Sequence, residues 1–372
     1  MPDVLIYRHQ LFRISESFIT EQAGALRRFR ALYAGRHCEG PPPAGAETVT
    51  LAGSPRREIL QQVLWRDPRP LRRRLAQRRP VLVHAHFGVE GVYALPLART
   101  LGVPLVTTFH GFDATVRDAS LWLSRKPSWI NYLLWRRRLA REGELFICVS
   151  NYIRQRLLAR GFPPTRTRTH YIGVDTQALQ PGDGSRDPHL ILHVARLVAK
   201  KGTEVLIDAL GRIARTHPRA HLVLIGDGPL RSRLTARAAA AGLAGRVRFL
   251  GARPRGEVLA WMGRAALLCQ PSRGAPSGDR EGLGMVLLEA AARGLPVVAS
   301  RSGGMPEAVR EPEAGRLAPE GDVEQLADAL GELLGDERRL GRMSRAARQW
   351  VVEHFDLDTQ TARLEALYEE LL

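Results

Sequence analysis

Lysine is nearly missing from this sequence, which has only Lys126, Lys200 and Lys201 among 372 residues. Cysteine is as scarce. Cys38, Cys148 and Cys269 are odd in number and far apart, which excludes a disulfide framework and points to a reducing compartment. Cys148 and Cys269 lie in apolar runs and read as small buried hydrophobes. No run approaches the ~20 apolar residues of a membrane-spanning helix. Met1–Phe18 carries Arg8, Arg13 and Glu16 where a signal peptide has its apolar core, so the cytoplasm is the expected location. No His/Cys cluster has metal-ligand spacing and no segment repeats, so neither a zinc module nor a solenoid is expected.

What is present describes an ordinary globular chain, 44% hydrophobic and 25% charged, too long for one hydrophobic core and therefore expected to form two domains. The formal charge of +17 is unevenly spread. Up to Ile172 there are 28 basic and 12 acidic residues, a balance of +16, and the remainder carries +1. A general preference for arginine explains the abundance of Arg but not this asymmetry. The first half is expected to meet something acidic: a membrane surface, a nucleic acid or an anionic substrate.

Short apolar runs alternate with amphipathic helical stretches along the whole chain. Val4–Tyr7, Val81–Ala85, Leu105–Thr108 and Phe146–Ser150 read as buried strands in the first half. Leu190–Ala195, His221–Ile225, Arg246–Leu250, Ala266–Gln270 and Pro296–Ser300 do so in the second. Helical periodicity fills the gaps, as in Thr203–Arg215, Leu230–Ala241 and Val286–Arg293. Such alternation predicts parallel sheets in an α/β architecture. Gln180–Pro188 has Pro, Gly, Asp and Ser without apolar periodicity and reads as the linker. The expected plan is a Rossmann-like domain over 1–179, a linker over 180–188 and a second Rossmann-like domain over 189–355. An amphipathic segment over 356–372 would pack back on the first domain. Two doubly wound domains facing each other would bind ligands in the cleft between the carboxyl ends of their strands.

The strongest chemical signal runs from Pro271 to Ala290. Glu281 and Glu289 lie eight positions apart, and Gly282 and Gly284 argue against one continuous helix. The pattern predicts a tight loop carrying Glu281 and a helix beginning near Met285. Its free N–H groups and positive dipole end suit a diphosphate. Both carboxylates can accept hydrogen bonds from sugar hydroxyls. Arg196 and Lys201 follow the first strand of the second domain, where cations can neutralise a leaving diphosphate. Ile225–Pro229 (Ile-Gly-Asp-Gly-Pro) reads as a structural strand-to-helix turn.

Taken in order, the Arg196/Lys201-Gly loop, Gly-Asp-Gly-Pro, the Glu281–Glu289 spacing and Ser300–Glu307 (Ser-Arg-Ser-Gly-Gly-Met-Pro-Glu) resemble glycosyltransferase family 4. The resemblance covers nearly the whole chain. It implies a GT-B fold, no catalytic metal, no cofactor, and retention at the anomeric carbon of a UDP- or GDP-linked sugar. It further implies that Arg196 and Lys201 hold the diphosphate. Glu281 with the backbone of Gly282, Leu283, Gly284 and Met285 would hold the sugar, and Glu289 the ribose. Backbone around Gly251 and Ala252 is the candidate base contact.

In the first half, Thr107–Asp113 (Thr-Thr-Phe-His-Gly-Phe-Asp) puts His110 and Asp113 just past an apolar strand. The match to the family's His-Gly-x-Asp motif implies that His110 meets the donor sugar. His84 and His86 end the preceding strand and are candidates for the same wall. The family's common glycine-rich loop is absent after the first strand. Instead Ser15, Glu16 and the residues to Ile19 resemble the version in exopolysaccharide enzymes of the colanic acid and amylovoran type. The expected acceptor is a saccharide, with a polyprenyl-diphosphate-linked one implied at a membrane. Leu121–Arg141 mixes Trp122, Trp129, Tyr132 and Trp135 with Arg125, Lys126 and Arg136–Arg138, a composition that suits the headgroup layer of the inner membrane face. The competing readings are a lipopolysaccharide or natural-product transferase, a nucleotide-sugar epimerase or glycoside phosphorylase of the same fold, and a basic membrane- or nucleic-acid-binding protein without catalysis. The last gives no reason for the carboxylates, and no nucleic-acid partner is expected.

Overall fold

The computed structural model describes residues 1–182 and 186–372; residues 183–185, the middle of the expected linker, lie outside the described residues. The chain forms two compact units, Met1–Gly173 together with Leu357–Leu372, and Val174–Asp356.

The first unit is built on seven strands: β1 (Asp3–Tyr7), β2 (Arg30–Gly35), β3 (Glu47–Thr50), β4 (Leu82–His86), β5 (Leu105–Phe109), β6 (Leu145–Cys148) and β7 (Thr167–Thr169). Their order is β3-β2-β1-β4-β5-β6-β7, and every pair is parallel. All residues of β1, β4, β5 and β6 are buried. Helices cover both faces of such a sheet, so its strands read as unbroken apolar runs rather than as alternation. The helix Leu357–Glu369 belongs to this unit: Leu364 and Tyr368 join Val4, Ile6, Phe29, Val106 and Ile147 in one core cluster. Glu365 accepts the backbone N–H groups of Arg27, Arg28 and Phe29.

The second unit repeats the plan with six parallel strands: β8 (Asp187–Val194), β9 (His221–Ile225), β10 (Val247–Gly251), β11 (Ala265–Gln270), β12 (Val297–Ser300) and β13 (Gly315–Ala318), in the order β10-β9-β8-β11-β12-β13. The helices Thr203–Ile213 and Val323–Leu334 bury Leu206, Leu210, Leu330 and Leu333 against it. In both sheets the chain reverses direction across the sheet at one place, between β1 and β4 and between β8 and β11. Loops diverge there and leave a crevice at the carboxyl ends.

Two expectations need correction. The strand β8 starts at Asp187, inside the span read as linker, because Asp187 pairs with Ala265 and Arg186 donates to the carbonyls of Ala265, Arg293 and Gly294. The boundary between units falls earlier, after Gly173. Residues from Val174 onward are held by the second unit: Val174 N–H donates to Phe355, and Arg348 donates to the carbonyls of Thr176 and Leu179. Among the described residues no helix is long and apolar enough to cross a membrane.

Candidate functional site

At the reversal of the second sheet, two loops meet. One follows β8 and carries Arg196, Lys200 and Lys201; the other follows β11 and runs from Pro271 to Gly284. Gly202, at φ +61, ends the first loop, and a Cβ there would overlap the Pro271 carbonyl. Only glycine tolerates both that conformation and that approach. Arg273 N–H donates to the Lys200 carbonyl at 2.8 Å, which locks the loops together. Three ion pairs staple the second loop: Lys200–Asp279 at 3.1 Å, Arg273–Glu204 and Arg280–Glu320.

The stapling presents Glu281 to Lys201, with Nζ 2.6 Å from Oε1. Burial opposes the charge on Glu281. The ammoniums of Lys201 and Lys200 and the Ser272 hydroxyl outweigh it and hold the carboxyl at about 2. The Glu281 carbonyl accepts the N–H of Gly304 at 3.0 Å, and Gly303, at φ +58, lies too close to it for any side chain. Ser300–Gly304 therefore braces the Glu281 loop from β12. Gly284, at φ +94, begins the helix Met285–Ala292, whose first N–H groups lack helical partners by construction. Leu283 is buried, so only its backbone can face a ligand.

Arg196 is exposed, with no carboxylate partner among the described residues. Glu289 faces Arg255 at 3.3 Å, a partner that nothing in the local sequence announced. Gly251, at φ +75, gives its carbonyl to the Gly226 N–H at 2.8 Å, and Ala252 beside it is exposed. The Gly-Asp-Gly-Pro turn is structural: a Cβ at Gly226 or Gly228 would overlap the carbonyls of Ala195 or Leu197, the backbone on either side of Arg196.

In the first unit the reversal lies between β1 and β4, and a second cluster forms there. His86 Nδ1 and His110 Nε2 are 3.1 Å apart, with their rings stacked. His84 stacks on His86 and is itself bound to Tyr368 Oη at 2.6 Å and Thr108 Oγ1 at 2.7 Å. Burial, and then the neighbouring ring, keep all three imidazoles neutral, far below the ordinary histidine range. His110 Nδ1 has no hydrogen-bond partner among the described residues.

Asp113 does not line this wall. It is fully buried, and its oxygens accept the N–H groups of Gly88, His110 and Gly111. Its role is to hold the loops after β4 and β5 in shape, and desolvation raises its carboxyl to about 6 despite those bonds. Glu16 is tied to Arg8 at 2.8 Å, while Ser15 is exposed in a short turn. Sequence reading missed Arg8 and Glu90, a buried ion pair beside the histidines. Arg8 also lies 4.5 Å over the Phe87 ring. Burial disfavours the Glu90 charge, yet Arg8 and His9 hold it near 2. Not all aromatics of Leu121–Arg141 lie at the surface: Trp122 is exposed, but Tyr132 is fully buried and donates to the Asp113 carbonyl, and Trp129 stacks on Phe112.

Comparisons with known proteins bear on this geometry. The family model for glycosyl transferases group 1 matches residues 177–350, and that for Glycosyltransferase Family 4 matches residues 18–178. A GDP-mannose-dependent alpha-(1-6)-phosphatidylinositol monomannoside mannosyltransferase of Mycolicibacterium smegmatis is 34% identical over 296 residues, 76% of this chain and 75% of that protein. The amylovoran biosynthesis glycosyltransferase AmsK of Erwinia amylovora is 32% identical over 290 residues, 77% and 69% of the two chains. The crystal structure of Anabaena HepE in complex with UDP and glucose superimposes with a TM-score of 0.79 over the full length of both chains at 21% identity, a likeness of fold.

Proposed function

This chain belongs to glycosyltransferase family 4 and has its GT-B fold, and from that premise we propose that it is a retaining, metal-independent transferase. It moves a sugar from a nucleoside-diphosphate sugar to a hydroxyl of a saccharide acceptor, lipid-linked, in the synthesis of a cell-surface polysaccharide. The observation that carries the reading is the Lys201–Glu281 pair at the sheet reversal of the second unit, beside the N-terminus of the Met285–Ala292 helix. Charge of both signs and a helix N-terminus within one crevice suit a ligand that joins a diphosphate to a polyhydroxylated ring.

In this reading Lys201, Arg196 and the backbone from Gly282 to Met285 bind the diphosphate. Glu281 accepts hydrogen bonds from the sugar, and Glu289 takes the ribose with Arg255 aligning its carboxylate. The backbone at Gly251 and Ala252 meets the base. The first unit holds the acceptor, with the neutral His86, Ser15 and Glu16 on that side, and the neutral His110 beside His86 meets the donor sugar. The acceptor oxygen attacks the anomeric carbon from the face that the diphosphate leaves. The bond from carbon to phosphate oxygen breaks, and the acceptor proton passes to that oxygen. Stabilising the departing charge supplies most of the rate. The enzyme works at the inner face of the membrane. The similar mannosyltransferase is GDP-mannose-dependent, and HepE has been crystallised in complex with UDP-glucose, so both UDP- and GDP-sugars are candidate donors.

Thermal shift against a panel of UDP- and GDP-sugars tests the donor site, since a ligand that binds only the folded state raises its stability. One nucleotide class is expected to stabilise the protein, and Lys201→Ala and Glu281→Ala to abolish both the shift and turnover without unfolding. The product should keep the anomeric configuration of the donor by NMR, and a chelator should leave the rate unchanged. An inverted product overturns retention. Near-normal turnover in Glu281→Ala overturns the site.

A further inference from the structure

The helix Arg56–Trp65 of the first unit is turned inside out. Its interior-facing positions carry polar groups: Gln62 is 2% exposed and donates to Tyr7 Oη, and Arg66, which follows it, is 8% exposed with its guanidinium 3.8 Å over the Trp135 ring. Its outward stripe is apolar, with Leu60 53%, Leu64 44% and Trp65 69% exposed. A surface helix ordinarily shows the reverse arrangement. Single exposed hydrophobes need no explanation, but a helix that buries glutamine and exposes tryptophan does.

The stripe continues onto the helix Pro127–Glu142, which packs against the first helix. Asn131 Nδ2 donates to the carbonyls of Val63 and Leu64 at 3.1 and 3.2 Å, so the two helices meet at this turn. One turn further on, Leu134 is 62% exposed. Around these apolar side chains stand Arg57, Arg137 and Arg141, all exposed and without an acidic partner among the described residues. The carboxylates nearby are already engaged: Glu58 by Arg73, Asp67 by Arg69, and Glu142 by Arg99 and Arg138. The face thus offers tryptophan, leucine and uncompensated guanidinium together.

We propose that this face, formed by the Arg56–Trp65 and Pro127–Glu142 helices, docks on an anionic lipid bilayer, with Leu60, Leu64, Trp65 and Leu134 entering the headgroup layer. The arginines pair with lipid phosphates as the side chains insert. Charge decides against a second copy of the chain. A twofold contact would set the same patch against itself and oppose its unpaired arginines. The proposal takes from the transferase reading only its purpose, bringing the enzyme to a lipid-borne acceptor.

The test is co-sedimentation of the full-length chain with vesicles of phosphatidylcholine alone and of phosphatidylcholine with 30% phosphatidylglycerol (about one anionic lipid in three, enough for a strong negative surface potential). Tryptophan emission is read in parallel. The wild type is expected to bind the anionic vesicles with a blue shift. Leu64→Ser/Trp65→Ser is expected to bind about tenfold more weakly and to lose the shift. Arg137→Glu/Arg141→Glu is expected to bind weaker by tenfold or more, on the order expected for two reversed charges. Both pairs are exposed, so folding and donor-induced thermal shifts should be unchanged. Failure of the wild type to bind, or equal binding by the variants, overturns the proposal. So does a concentration-dependent dimer that Leu64→Ser/Trp65→Ser abolishes. Vesicle binding with no response to any nucleotide sugar would leave this face standing and sink the transferase reading alone.

Discussion

Replacing Lys201 by methionine keeps the bulk of the stem and removes the cation 2.6 Å from a carboxylate that is only 12% exposed. Burial would push the Glu281 carboxyl upward; Lys201, then Lys200 and the Ser272 hydroxyl, bring it from 4.5 down to about 2. Each tenfold change in acidity is worth about 1.4 kcal/mol. The whole depression therefore corresponds to about 3 kcal/mol, with Lys201 the largest favourable contributor. The sign follows from linkage. A carboxyl depressed in the folded state stabilises it fully above its unfolded value, and that contribution fades as pH falls from 4.5 toward 2. Without Lys201 the desolvation is left largely unopposed, the carboxyl rises, and stability is lost as pH increases. Wild type and Lys201→Met should thus differ little near pH 2 and increasingly toward pH 7. The two units need not unfold together, so hydrogen exchange of the Met285–Ala292 helix under increasing urea is the appropriate measurement. Glu281→Gln and the double variant complete a cycle at pH 7, with an expected coupling of about 2 kcal/mol. Single effects that add to within about 0.5 kcal/mol, or a Lys201→Met loss as large at low pH as at neutral pH, would refute the reasoning.

Two further outcomes are expected. The first unit should lose stability between pH 7 and pH 5, because His84, His86 and His110 are buried neutral and folding opposes their protonation below the unfolded value near 6.5. His9, held near 4, behaves alike, and each such group withdraws about 2 kcal/mol by pH 5. Urea melts of His86→Gln should show a flatter pH profile than wild type, and an unchanged slope would count against the assignment. Gly303→Ala forces a side chain onto the Glu281 carbonyl at a positive φ, so it should abolish donor-induced thermal shifts while leaving the first unit's melt untouched.

Much of the fold was legible because buried parallel strands are written as plain apolar runs, as in Leu105–Phe109 and His221–Ile225. The strands that escaped notice lack that mark. Arg30–Gly35 has no β-branched residue, Glu47–Thr50 alternates with charge and threonine at an edge, Thr167–Thr169 is three residues long, and Gly315–Ala318 is a short run of glycine, arginine, leucine and alanine. The loops after β8 and β11 were readable because glycine, charge and a helix start fall together in a few residues. Pairings across long stretches of chain were not. Arg8 with Glu90 spans 82 positions and His84 with Tyr368 spans 284, and no local pattern encodes such a partner. The Leu121–Arg141 stretch was only half legible for the same reason: composition shows that tryptophan and arginine share a helix, but not that Tyr132 is turned to Asp113 while Leu134 is exposed.

The last helix also sets a timetable for synthesis. Residues 174–356 are contiguous and can close as soon as they have left the ribosome, whereas the first unit lacks Glu365 and Tyr368 until 183 intervening residues have been made. At about 5–20 residues per second, that wait is roughly 10–40 s. During it the backbone at Arg27–Phe29 has no carboxylate to bind, and His84 waits for its phenol. The half of the protein that is translated first is therefore completed last, with an apolar seam open to chaperones in the meantime.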